Sequence, residues 1–176
     1  ECTPSFHHVC NRLEELKYIN ITSSPKVQGI LNQGTTKKKD IILDREQKHI
    51  YRSIIQKWSK NKLKPSLIVS QNNIRRVMLY GKIIELYLQK KQSIILLIPE
   101  IALIPQIYNI LNSFFPNEVG VWHSRMNISE KNYILQRIKR LHNNIIIGTR
   151  SSLFLPFNNL GLIIVDEEQD QSYKQD

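Results

Sequence analysis

In the stretch GLIIVDEEQD, the acidic pair Asp166 and Glu167 follows directly on the apolar run Leu162–Val165. A carboxylate leaving a buried strand can hold Mg²⁺ through water, and its neighbour can polarise an attacking water, as nucleotide hydrolysis requires. Adjacent acids at a strand end also cap helices, so the pair alone leaves both readings open. Gly148, Thr149 and Arg150 form a second cluster. Glycine lets the backbone approach a phosphate while Thr and Arg bond to it, although the same residues make an ordinary strand-to-helix turn. His123-Ser124 reads as a polar pair beside a ligand path or as structural, with no Asp placed to complete a triad. Cys2 and Cys10 match no zinc-ligand spacing, so no zinc site is expected.

The clusters need a scaffold, and the pattern around them supplies one. Short apolar runs at Leu67–Val69, Ile94–Ile98, Val119–Trp122, Ile145–Ile147 and Leu162–Val165 read as strands. Between them, helical periodicity runs from a cap at Asp44 through Trp58, and over Arg75–Lys90, Pro105–Phe115 and Ser129–Leu141. Continuous apolar strands alternating with helices predict an α/β fold with a parallel sheet covered on both faces. In such sheets function gathers at the carboxyl ends of the strands, where every cluster falls, including Ser70–Arg76 and Pro99-Glu100. Upstream, Phe6–Thr22 is an amphipathic helix and residues 23–40, with Lys37–Lys39, read as a linker.

Composition narrows the partners. With 176 residues and 41 % hydrophobic content, the chain can bury an ordinary core. Its net charge of +10 favours a polyanion, although AT-rich codon bias also inflates lysine. No apolar run approaches the ~20 residues of a membrane span and no signal pattern opens the chain, so a soluble cytoplasmic protein is expected. A first residue of Glu1 rather than Met suggests a fragment, a processed form or a truncated gene product.

LIPEIALIPQ, VGVWHSRMN and the string IIIGTRSSLFLPFNNLGLIIVDEEQDQSYKQD, in that order and spacing, resemble the primosomal replication-restart DNA helicases, the PriA family of superfamily 2. The resemblance runs from about Leu43 onward. It implies a RecA-like P-loop NTPase lobe over residues 41–176, preceded by a remnant of a winged-helix module at 1–22 and the linker. It also implies ATP-dependent 3′–5′ unwinding of forked DNA in primosome assembly, with ATP and Mg as cofactors. Forked or single-stranded DNA, primosome proteins and single-strand-binding protein are the implied partners. Carried over by position, Gln47 approaches the adenine, Asp166 holds Mg through water and Glu167 is catalytic. Pro99, Glu100, Ile101, Gln106, Gly148, Thr149 and Arg150 face DNA, and Gln169 stands where the family's DEEH histidine couples nucleotide to DNA.

One segment departs from the family. Where it carries a phosphate loop GxTGSGKT, this chain reads Ser70-Gln71-Asn72-Asn73-Ile74-Arg75-Arg76-Val77. Asn73, Arg75 and Arg76 are what remains of a nucleotide cradle. The glycines that admit close approach are gone, a β-branched Ile74 resists positive φ, Arg76 replaces the lysine and Val77 has no hydroxyl. No second motor lobe, and hence no arginine finger, lies within the chain. Three readings follow: a restart helicase lobe, a non-hydrolysing DNA-binding remnant of one, or a decayed product without activity.

Overall fold

A computed structural model describes residues 38–60, 65–70, 72–140 and 144–174. The expected helix and wing at 1–22, both cysteines and most of the 23–40 linker lie outside the described residues. Helix α1 spans Arg45–Lys60, α2 Asn73–Gln89, α3 Ile104–Phe114 and α4 Ile128–Lys139. Strands β1 (Ser93–Leu97), β2 (Val119–Trp122), β3 (Ile145–Gly148) and β4 (Leu160–Val165) form one sheet in the order β2-β3-β1-β4. Every pairing is parallel, with Leu97 opposite both Gly148 and Val165.

Local chemistry sets these elements. Asp44 accepts from the Gln47 backbone N–H while the Gln47 side chain accepts from the Asp44 N–H, a reciprocal capping box that starts α1. Asn127 and Glu130 make the same exchange at α4. Asn72 caps α2, its side chain accepting from the Arg75 N–H. The strands β1 and β3 are buried throughout, which is why they read as continuous apolar runs.

The connection from β1 to β2 runs one way across the sheet through α3, and that from β2 to β3 returns through α4. Right-handed crossovers in opposite directions place α3 and α4 on opposite faces. On one side, Leu43, Ile54, Leu79 and Ile83 join α1 to α2 and gather Trp58, Ile68 and Leu162 around them. A second cluster joins Ile134 and Ile138 of α4 to Ile146 of β3 and to Leu155. A parallel sheet flanked by helices in this way is an α/β RecA-like fold.

One expected strand does not form. Residues 65–70 have no regular structure, and Leu67 and Val69 are exposed at 74 % and 84 %. β4 pairs only with β1 among the described residues, and this segment makes no ladder with its outer edge. It is held instead by a Trp58 Nε1–H bond to Ser66 Oγ and by the packing of Ile68. Among the described residues no helix is long and apolar enough to cross a membrane.

Candidate functional site

Asp166 stands one residue beyond β4, where its N–H donates to the Leu97 carbonyl and extends the parallel ladder. Its side chain is 1 % exposed, which is costly for a carboxylate unless it is paired. The partners come from one face of α2. Arg76 Nε lies 2.7 Å from Asp166 Oδ1, and Arg76 Nη2 reaches Asp166 Oδ2 and Glu167 Oε1 at 3.2 Å each. Tyr80, one helical turn on, donates to Asp166 Oδ1 at 3.0 Å. Burial works against the charge on Arg76, but the hydrogen bond and charge of Asp166 outweigh it and hold the guanidinium above its ordinary value. Burial first, then the Asp166 charge, pushes the Tyr80 phenol well up, so it remains a donor. Glu167 sits at φ 51°, a left-handed conformation uncommon for a residue with a side chain.

The residues expected to cradle a nucleotide divide into two groups. Asn73 and Arg76 border a cavity of about 20 Å³ that Asp166, Glu167 and Gln106 also line, room for roughly one water. Arg75 turns away and pairs with Asp44 at 2.7 Å and Glu46 at 2.8 Å, both beside the start of α1. Gln47, expected near an adenine, is buried, with its Nε2–H donating to the Arg75 carbonyl and its Oε1 bound to the Asp44 N–H.

ATP and Mg, which helicases of this kind use generally, do not fit these residues. An anion at a helix start needs free backbone N–H groups. Here the Arg75 N–H is already taken by Asn72, and the acids that would hold the metal are occupied by Arg76. The cavity beside these acids has room for about one water, less than a metal with its water shell needs.

The remaining clusters line the carboxyl-end rim of the sheet. Pro99 and Glu100 follow β1, with Glu100 exposed at the start of a short 3₁₀ turn, Ile101–Leu103, and Gln106 exposed on α3. Gly148 ends β3, and a side chain there would meet the Trp122 carbonyl at 2.3 Å, so packing alone demands glycine. Thr149 donates its N–H to the Trp122 carbonyl, and Arg150 opens a 3₁₀ turn, Arg150–Phe154, on which Phe154 is 89 % exposed. His123 follows β2, with Nδ1 buried and unpartnered among the described residues. Gln169 is exposed in the turn after Glu167.

Three residues of this arrangement were not foreseen. Tyr80 had a visible signal, since it stands four positions after Arg76 and must share its helix face. Ser172 and Tyr173 had none. Ser172 Oγ donates to the Pro99 carbonyl and the Tyr173 hydroxyl to the Asp166 carbonyl, so the final turn staples the ends of β1 and β4 together.

The geometry agrees with what comparison finds. The profile of the DEAD/DEAH box helicases matches residues 67–176. Replication restart protein PriA of Rickettsia prowazekii is 40 % identical over 161 residues, 90 % of this chain and 24 % of that protein. The same protein of Helicobacter pylori J99 is 41 % identical over 109 residues, covering 62 % of the chain and 18 % of the relative. That of Bacillus subtilis is 34 % identical over 140 residues, covering 80 % of the chain and 17 % of the relative. The chain thus spans about a quarter or less of the length of these relatives. With a profile match over more than half its length and these similarities beside it, the chain is PriA-like in sequence and belongs to the DEAD/DEAH box helicase family.

Proposed function

We propose that residues 41–176 are the first motor lobe of a replication-restart helicase, working in the bacterial cytoplasm and facing forked or single-stranded DNA with the carboxyl-end rim of the sheet. Residues 1–22 and 23–40 would precede it as a helix-and-wing module and a linker. The observation that carries the reading is the gathering of Pro99, Glu100, Gln106, Thr149 and Arg150 on the rim that also holds Asp166 and Glu167. A net charge of +10 supports a phosphate-rich partner. Relatives named as replication restart proteins support a role of the whole protein in replication restart, and ATP-dependent 3′–5′ unwinding and primosome assembly, with primosome proteins and single-strand-binding protein as partners, are proposed with it. Glu167 and Asp166 stand at the family's catalytic and metal positions, which Arg76 fills in this chain, and Gln169 at its coupling position.

Fluorescence anisotropy of the purified chain on a labelled fork tests the reading. Binding should weaken steeply between about 50 and 200 mM salt, and Arg150→Ala should lower the salt slope by about one ion. A chain that ignores the fork at the lower salt is not a DNA-facing lobe. The occupation of Asp166 by Arg76 favours a second reading, in which this lobe grips DNA without turning over ATP.

A further inference from the structure

We propose that Arg76 stands in the place of the magnesium ion, so that the lobe carries its own cation and needs neither metal nor nucleotide to hold α2 against β4. The inference deepens the motor-lobe reading and rests on it for the identity of the displaced ion. Both oxygens of Asp166 accept a hydrogen bond, Oδ1 from the Tyr80 hydroxyl and Oδ2 from Arg76 Nη2, and Arg76 Nε adds an ion-pair contact to Oδ1. The same Nη2 spans to Glu167 Oε1, so one planar guanidinium bridges both acids. Mg²⁺ would need an octahedral shell at roughly 2.1 Å with several waters retained, and the neighbouring cavity has room for about one water.

The bridge has a consequence for the rim. Arg76 and Tyr80 tie α2 to the end of β4, Tyr173 ties the final turn to the Asp166 carbonyl, and Ser172 ties that turn to Pro99. A joint made by a bound ion would loosen when that ion leaves. Here a covalently attached cation holds it in one state, and the DNA-facing loop after β1 is held with it.

Thermal melts of the whole chain with and without about 10 mM MgCl₂ test this, together with Mn²⁺ binding followed by electron paramagnetic resonance. Wild type should show no shift with Mg²⁺ or Mg-ATP and no bound Mn²⁺. Arg76→Ala strips a buried carboxylate of its partner and should melt roughly 10 °C lower. Mg²⁺ should recover several degrees of that loss in Arg76→Ala, about as much as a site bound at a hundredfold excess provides. It should recover none in Arg76→Met/Asp166→Asn, where both charges are gone and the melting point returns toward wild type. If Arg76→Ala fails to fold, wild-type Mn²⁺ binding and the double variant decide. Bound Mn²⁺, a Mg²⁺ shift in wild type, or a double variant that stays as unstable as Asp166→Asn alone overturns the proposal. Fork binding measured in parallel separates the two readings, because its loss counts against the motor lobe and a metal response counts only against Arg76.

Discussion

Asp166 is the residue on which the site turns, and its environment shows how a buried charge is tolerated. An isolated carboxylate at 1 % exposure would protonate or unfold its surroundings, so two hydrogen bonds and the Arg76 charge converge on it from α2. The Tyr80 hydroxyl is the neutral one among them, and its removal isolates a hydrogen bond from the ion pair. Tyr80→Phe keeps the ring packed and removes one bond to a charged acceptor, which should cost about 2 kcal/mol in urea denaturation. An unchanged midpoint would show that Arg76 alone satisfies the carboxylate. The acid pair was legible in the sequence because four apolar residues end in it. Its partner was legible only as a loss, a lysine turned arginine. Which atoms Arg76 meets depends on a pairing across 90 positions, and no local pattern encodes that.

At the scale of elements, most of the scaffold was legible because β1 and β3 are buried on both faces and the helices carry caps. Asn127 at the start of α4 and Asp44 at the start of α1 announce helices by chemistry that acts within four residues. Asn127→Ala should therefore cost about 1 kcal/mol by chemical denaturation, with no change in fork affinity. A cost near zero would mean that packing of Ile134 and Ile138 alone starts the helix. Leu67–Val69 was misread as a strand because an apolar run does not tell whether the segment pairs with a sheet edge. Gly148 was read as an opening toward phosphate, and the fold adds an internal reason, the Trp122 carbonyl 2.3 Å from where a Cβ would stand. Gly148→Ala must part β2 from β3 to fit, so it should lower the melting point by several degrees even without DNA. If it instead weakens fork binding at an unchanged melting point, the glycine serves the phosphate and the strands yield easily.

For the whole molecule, the titrating groups that depart from their ordinary values set a stability profile with a definite shape. Burial, with Arg125 and Lys131 assisting and Glu130 opposing, holds His123 below its ordinary 6.5. The unfolded chain then binds a proton that the folded chain refuses, so the stability from His123 is complete above about pH 6.5 and is lost as pH falls below it. Asp44 and Asp170 are held below 3.8, chiefly by backbone hydrogen bonds from Gln47 and Ser172, and their contribution is present above that value and lost beneath it. At the alkaline end the signs reverse. Tyr80 and Tyr173 are raised above 10.0 by burial and then by Asp166, so unfolded phenols release protons first and stability falls as pH climbs past that value. Melting points should thus form a plateau between about pH 7 and 9, with a first decline toward pH 5 and a second below pH 4. Growing positive charge on an already basic chain also favours unfolding in acid, so one substitution must separate the two causes. His123→Gln removes the titrating imidazole and should flatten the decline between about pH 7 and 5 while leaving the steeper one below pH 4. A decline of the same depth in that variant would assign the loss to overall charge and leave His123 a bystander.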